Sequence, residues 1–298
     1  MHELDRLRLA LADAAARGEA ALLATVVGVE GSTYRGAGAR MVVRADGTRV
    51  GAVSGGCLEA DIVARAAGLL AAGESDLVHY DTRNSGDDVL GLGLGCQAVL
   101  DVRLDSLRGE SLTRTIAELA DLRERTAVRL LVCGGGTDAV PVVRLAALVG
   151  WLVTVVDHRP SFATAERFPD AERVLCVNAA EEPGALAAAV PLERFAAALV
   201  MAHSAAHDRA CLHVLLGVPS LRYLGVLGPR RRTLELLDDA ELAPDRLPAH
   251  LHAPVGLDLG AETPEEIALA IVSECAAALA GRAPRSLRDR EGPIHRRP

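Results

Sequence analysis

Apolar positions along the chain follow two different rhythms. In the first hundred residues, Leu4, Leu7, Leu11 and Ala14 recur at helical spacing until Gly18, which predicts an amphipathic N-terminal helix. A continuous apolar run then covers Ala21 to Val29 and predicts a strand. Two further extended pieces, 40–44 and 48–53, flank Asp46-Gly47, a hairpin turn signal. A Gly-rich turn at Ser54-Gly55-Gly56-Cys57 opens a helix from about Leu58 to Ala72, and short strands follow at 76–80 and 98–103. These pieces predict one α/β domain over residues 1–106, with the polar helical stretch 107–126 as a linker.

From Ala127 the rhythm becomes regular alternation. Strands are expected at 128–133, 152–156, 173–177, 197–202 and 221–227, with helices between them and a last helix from Thr263 to about Ala280. That spacing implies a parallel sheet covered by helices on both faces, a Rossmann-type domain over 127–281, followed by a tail at 282–298. Thr263, Pro264 and Glu266 read as the cap, first position and capping-box acid of the last helix. The expected fold class is therefore α/β, an N-terminal α/β domain ahead of a Rossmann-type parallel-sheet domain.

Composition narrows the chemistry. The chain has 298 residues, 50% of them hydrophobic but only 2% aromatic, so its core must be built from Ala, Val and Leu. All 32 basic residues are arginine, which removes Schiff-base lysines, lysine general bases and the phosphate-reaching lysine of P-loops. Cationic recognition falls to guanidinium groups and helix N-termini. A net charge of −8 argues against nucleic acid as a partner. No apolar run is long enough for a transmembrane segment, and acidic residues inside the first helix argue against a signal peptide. Six scattered cysteines without a C-x-x-C pair suggest reduced thiols and a cytoplasmic location.

Three segments carry candidate chemistry. Gly134-Gly135-Gly136-Thr137-Asp138-Ala139 fits the G-x-G-x-x-A turn between a strand and a helix, and Asp157 closes the next strand where a ribose-binding acid sits. Gly134, Gly136 and Asp157 thus become candidate contacts for a nucleotide or NAD(P), the alternative being a sheet that has kept the turn and binds no dinucleotide. Asp138 and Pro141 make the loop atypical, since a carboxylate repels a pyrophosphate. Cys57, at a helix N-terminus, is expected to have a lowered pKa and to serve as a soft ligand or sulfur acceptor; a buried apolar role is the alternative. Cys96 stands in a second glycine turn, Gly93-Leu94-Gly95-Cys96. Arg35 and Arg40 stand in a glycine-rich loop and could clamp a phosphate or a pterin carbonyl. His203 and His207 follow the fourth strand of the second domain, a weaker metal candidate, and Arg230 to Arg232 start a helix after Gly228-Pro229.

GSTYRGAGARM (31–41), GAVSGGCLEADIV (51–63), GLGLGCQ (91–97), VVDHRPSFATAERFPDA (155–171), GVLGPRRRTLELL (225–237), HAPVGLDLGAETPEEIALAI (252–271) and REGPIH (290–295) occur in one order across nearly the whole chain. Together they resemble the XdhC/CoxI family of xanthine dehydrogenase accessory proteins. The resemblance implies a protein that binds the molybdenum cofactor (molybdopterin), assists its sulfuration with a cysteine desulfurase, and delivers it to an apo molybdenum hydroxylase of the xanthine dehydrogenase type. It also allows a homodimer. In that picture Cys57 and Cys96 contact the metal or the transferred sulfur, Gly55 and Gly56 border the cofactor, and Arg35 and Arg40 meet the pterin phosphate. The chain departs from the family pattern at Tyr34, Gln97-Ala98, Thr137 and Ala202 to Ala205. The competing expectation is an NAD(P)-dependent oxidoreductase using the crevice from Gly134 to Asp157, although no hydride-transfer constellation accompanies it.

Overall fold

A computed structural model describes residues 2–31, 33–83, 98–182, 184–237, 247–289 and 291. The chain divides between Thr126 and Ala127 into two compact units.

The N-terminal unit is built on five strands: β1 (Ala21–Gly31), β2 (Arg40–Arg44), β3 (Arg49–Gly51), β4 (Asp76–Asp81) and β5 (Ala98–Leu107). Their order is β3-β2-β1-β5-β4, with antiparallel neighbours throughout. Period-two alternation sorts their side chains between two helical layers. Leu22, Ala24, Val26, Met41 and Val43 join helix α2 (Glu59–Ala72), which contributes Ile62, Ala66 and Leu70 one turn apart. Ala21, Leu23 and Val42 face the opposite way, against helix α1 (Glu3–Ala16) with its Leu7, Leu11 and Ala14.

Residues 107–126, expected as a linker, contain helix α3 (Gly109–Thr126), which belongs to this unit. Leu112 and Leu119 are buried beside α1 in the second core layer, and Arg123 reaches Asp5 of α1 at 3.1 Å. Charged residues dominate its exposed surface and conceal a narrow apolar stripe, so its composition looks like that of a connector.

The second unit carries the parallel sheet. Its strands are β6 (Arg129–Cys133), β7 (Leu152–Asp157), β8 (Arg173–Cys176), β9 (Ala197–Val200), β10 (Tyr223–Val226) and β11 (Leu251–His252), in the order β11-β10-β9-β6-β7-β8. One face packs helices α5 (Ala185–Ala189), α6 (Ala205–Leu216) and α7 (Arg230–Leu237); the other packs α4 (Ala139–Leu148) and α8 (Pro264–Leu279). Chain order reverses between β6 and β9, which opens a crevice at their carboxyl ends. The capping box of α8 is formed as expected: Thr263 Oγ1 accepts from the Glu266 amide, and the Glu266 carboxylate accepts from the Thr263 amide. The two-residue β11 went unexpected, because a strand that short has no periodicity to read.

Candidate functional site: the Cys57 loop and the Rossmann crevice

In the N-terminal unit the loop from Ser54 to Leu58 is held by a buried carboxylate. Glu59, 2% exposed at the start of α2, accepts hydrogen bonds from the amides of Val53 (3.1 Å) and Ser54 (2.8 Å) and from the Ser54 hydroxyl (2.5 Å). Burial alone would raise its pKa, but these donors outweigh burial and hold it below the ordinary carboxylate value. Ser54 Oγ in turn accepts from the amides of Gly56 (3.1 Å) and Leu58 (3.2 Å) and lies 3.4 Å from the Cys57 sulfur. A single acid thus fixes a hydroxyl, and that hydroxyl fixes both the turn and the thiol.

Above this anchor the loop is open. Gly55 and Gly56 are exposed, Cys57 is half-buried with one side against the core, and Tyr34 stands exposed next to Gly55. Gly56 has φ of +118°, and a Cβ placed on it would meet nothing within 4 Å among the described residues. Among the described residues, backbone and sulfur can therefore be approached without displacing protein atoms. Ser54 and Glu59 received no role from the sequence. The signal available was an acid in the first turn of a helix five residues after a serine, a pattern that usually marks only a dipole interaction.

The other expected contacts in this unit do not gather at the loop. Arg35 is held by Glu3 through two contacts of 2.5 and 2.6 Å. Arg40 lies on the sheet face that carries α1 and α3, opposite the Met41 and Val43 side against which Cys57 packs. Cys96 and its glycine turn lie outside the described residues.

In the second unit the glycine turn after β6 is closed by the protein itself. A Cβ on Gly134 would overlap the Ala202 amide nitrogen, and one on Gly135 would fall 2.6 Å from the Phe162 carbonyl oxygen. Asp157 is fully buried. Its carboxylate accepts from the Gly135 amide (2.6 Å), the Arg159 amide (2.8 Å) and the Arg159 guanidinium (2.8 and 2.9 Å). Burial would raise its pKa, yet the Arg159 and Gly135 hydrogen bonds bring it down to about 2. Arg159 lies over the Phe162 ring at 3.7 Å, and Arg167 donates to the Gly135 carbonyl at 2.8 Å. The expected ribose-binding acid therefore faces inward, with both oxygens engaged by Gly135 and Arg159.

Around the same crevice, Asp138 pairs with His203 at 3.5 Å across Gly136, and His203 adopts a left-handed φ of +60°. His207 is buried elsewhere: its Nε2 lies 3.6 Å from Cys211 Sγ, and its ring stacks on His158 at 4.6 Å. The two histidines that follow β9 do not converge. No group of three or more His, Cys, Asp or Glu among the described residues is placed to hold a metal ion. Arg232 is tied to the buried Asp208, which also accepts from the Ala202 amide at 2.8 Å.

Fold and site together define a two-unit α/β protein: an antiparallel unit presenting a braced thiol loop, and a Rossmann-type unit whose glycine turn is filled from within. Two family models match, the XdhC and CoxI family over residues 14–81 and the XdhC Rossmann domain over residues 130–275. The chain is 31% identical to a probable xanthine dehydrogenase subunit of Bacillus subtilis (strain 168), covering 86% of this chain and 92% of that one. It is 26% identical to the molybdenum cofactor insertion chaperone PaoD of Escherichia coli (strain K12), covering 91% and 86%. A solved structure described as a xanthine dehydrogenase from Bacillus halodurans superposes with a TM-score of 0.80 at 28% identity, over 95% of this chain and 97% of that chain. The chain belongs to the XdhC/CoxI family. No helix among the described residues is long and apolar enough to cross a membrane.

Proposed function

We infer that this protein binds the molybdenum cofactor at the Cys57 loop, assists its sulfuration together with a cysteine desulfurase, and delivers it in the cytoplasm to an apo molybdenum hydroxylase of the xanthine dehydrogenase type. The observation that carries the reading is the Cys57 loop itself: a half-buried thiol braced by Ser54 and Glu59 beneath open glycine backbone. Its donor set fits the group. A thiol is a soft ligand suited to a thiophilic metal or to transferred sulfur, and exposed glycine backbone admits a planar ring system. When bound, the cofactor supplies the metal centre and the pterin dithiolene that the recipient enzyme needs.

The chain's own residues position and protect. Glu59 fixes the Ser54 hydroxyl, and Ser54 holds the Cys57 sulfur at the loop surface. Gly55 and Gly56 leave room for a ring, and Cys96 is the second thiol of the proposal. Arg35, held by Glu3, is the cation of the proposal. The names of two relatives, a molybdenum cofactor insertion chaperone and a probable xanthine dehydrogenase subunit, support the assignment of cargo and recipient. The inward-facing Asp157 favours this reading over an NAD(P)-dependent oxidoreductase.

Purification from a host that makes the cofactor, followed by assay of bound molybdenum and pterin, tests the reading. Wild-type protein is expected to retain both, and Cys57→Ala is expected to lose at least tenfold. Absence of both from the wild type, together with tight NAD(P) binding, would overturn it.

A further inference from the structure

Cys133 ends β6, one residue before the glycine turn, and helix α6 places His207 and Cys211 one turn apart. Cys133 and Cys211 belong to the same core cluster, on the sheet face that carries α6. Both are fully buried, and His207 is 1% exposed. The Cys133 thiol donates a hydrogen bond to the Cys211 sulfur, and His207 Nε2 lies 3.6 Å from that same sulfur. One sulfur thus sits between a second thiol and an imidazole. The other ring nitrogen of His207 has no hydrogen-bond partner among the described residues, so the Cys211 sulfur is the polar atom this ring engages.

The surroundings decide where the proton rests. Burial would lower the His207 pKa, but its hydrogen bond to Cys211 and the negative charges of Cys211, Asp157 and Asp208 raise it. The Cys133 hydrogen bond, and then His207, lower the Cys211 pKa against burial and the charge of Asp208. Cys133 moves the other way, raised by its hydrogen bond to Cys211 and by burial. The neighbouring charges are themselves paired, Asp157 with Arg159 and Asp208 with Arg232. Cys211 is then a thiolate beside an imidazolium, and Cys133 a neutral thiol in contact with it. Those are the roles of an attacking and a resolving sulfur. His158, its own pKa lowered by burial, stacks on His207 and has 24% of its side chain exposed. The pair therefore lies one ring in from the surface, a depth that a water-sized oxidant can cross.

We propose that Cys211 and Cys133 form a peroxide-reactive pair, with Cys211 attacking hydrogen peroxide and Cys133 resolving the product to a disulfide. The Cys211 sulfur forms a bond to one peroxide oxygen and the O–O bond breaks. The departing hydroxide takes the proton of the His207 imidazolium and leaves as water, and Cys211 becomes a sulfenic acid. The Cys133 sulfur then attacks the Cys211 sulfur. The S–S bond forms, the S–O bond breaks, and hydroxide leaves with the Cys133 proton as a second water. The two sulfurs lose two electrons and hydrogen peroxide gains them. This chemistry uses residues of the second unit and stands independently of the cofactor reading.

The test exposes reduced full-length protein to a small excess of hydrogen peroxide, quenches with an alkylating reagent, and maps the thiols by mass spectrometry. The expected product is a Cys133–Cys211 bridge that dithiothreitol reverses, formed at least tenfold faster than oxidation of Cys176, which is exposed. In Cys133→Ala the reaction is expected to stop at a Cys211 sulfenic acid that a cyclic dione traps. His207→Phe is expected to slow the bridge at least tenfold. Between pH 7 and 8 the wild-type rate should change less than threefold, because the thiolate is already formed. Cys133 and Cys211 recovered as free thiols while Cys176 oxidises, or a bridge joining any other pair, overturns the proposal. A tenfold rise in rate across that pH unit overturns it as well. These outcomes are read on wild type, so they decide the matter even where a core variant fails to fold. Missing molybdenum and pterin would overturn the cofactor reading and leave this result unchanged.

Discussion

Two glycine turns, one in each unit, carry the same sequence signal and have opposite structural meanings. Both follow a strand and precede a helix. At Gly55-Gly56 the backbone is exposed, and the nearest described atoms to a methyl group at Gly55 would be those of the Tyr34 side chain, at an ordinary contact distance of 3.8 Å. At Gly134-Gly135 the missing side chains make room for the protein's own backbone, at Ala202 and Phe162. Glycine in a turn reports that something comes close; it does not report whether that is a ligand or a neighbouring loop. The distinction is the reason the proposed function rests on the Cys57 loop and not on the Rossmann turn, where the sequence motif was more complete.

The comparison is most forcefully broken at Gly134. Gly134→Ala would put a methyl group against backbone atoms that cannot rotate away, at a φ of +126° that non-glycine residues rarely adopt. The combined clash and strain are expected to cost about 3 kcal/mol. Thermal unfolding should show a midpoint lowered by roughly 6–12 °C for a unit of this size. A midpoint within one degree of wild type would mean the turn has slack and could admit a ligand after all.

Asp157 gives a smaller effect with a defined pH signature. Its folded pKa of about 2 lies below the ordinary carboxylate value. A depressed pKa contributes stability above the unfolded value, near pH 4, and that contribution is lost as pH falls through about 2. The shift corresponds to about 2 kcal/mol near neutrality. Chemical denaturation of wild type and Asp157→Asn should therefore differ by about that much at pH 7. The gap should narrow steadily below pH 4. A gap unchanged between pH 7 and pH 2.5 would show that the carboxylate charge is not what holds Arg159 and the Gly135 amide.

Much of this fold is legible in the sequence because its signals are local. Strand-helix alternation after Ala127 follows directly from hydrophobic period, and so does the capped start of α8 at Thr263. What escapes is whatever depends on a partner distant in sequence. Helix α3 resembles a connector until Leu112 and Leu119 are seen against α1. Alternation along β2 separates Arg40 from Met41, but nothing local says that Cys57 packs on the Met41 side. The pairing of Asp157 with Arg159 spans only two residues, yet it competes with a ribose role that the same position also suits, and only the fold shows both carboxylate oxygens engaged by Gly135 and Arg159. Glu59 is a similar case: its acid is visible, while its burial under Val53 and Ser54 is not.

The smallest perturbation is also the sharpest probe of the open turn. Gly55 does not require a left-handed backbone, so Gly55→Ala adds a methyl group without the strain that φ of +118° would impose at Gly56. Stability should stay within about 0.5 kcal/mol of wild type, helped by the reduced freedom of the unfolded chain. The methyl group would nevertheless stand beside Tyr34, on the surface a planar cofactor would approach. Protein purified from a cofactor-producing host should then unfold at the wild-type temperature while retaining several-fold less molybdenum and pterin. Both quantities can be measured on one preparation, and their separation is what distinguishes a glycine kept for a visitor from one kept for packing. Full retention of metal and pterin at unchanged stability would show that the cofactor does not approach this backbone. A lowered unfolding temperature would show instead that the turn is packed like its counterpart at Gly134.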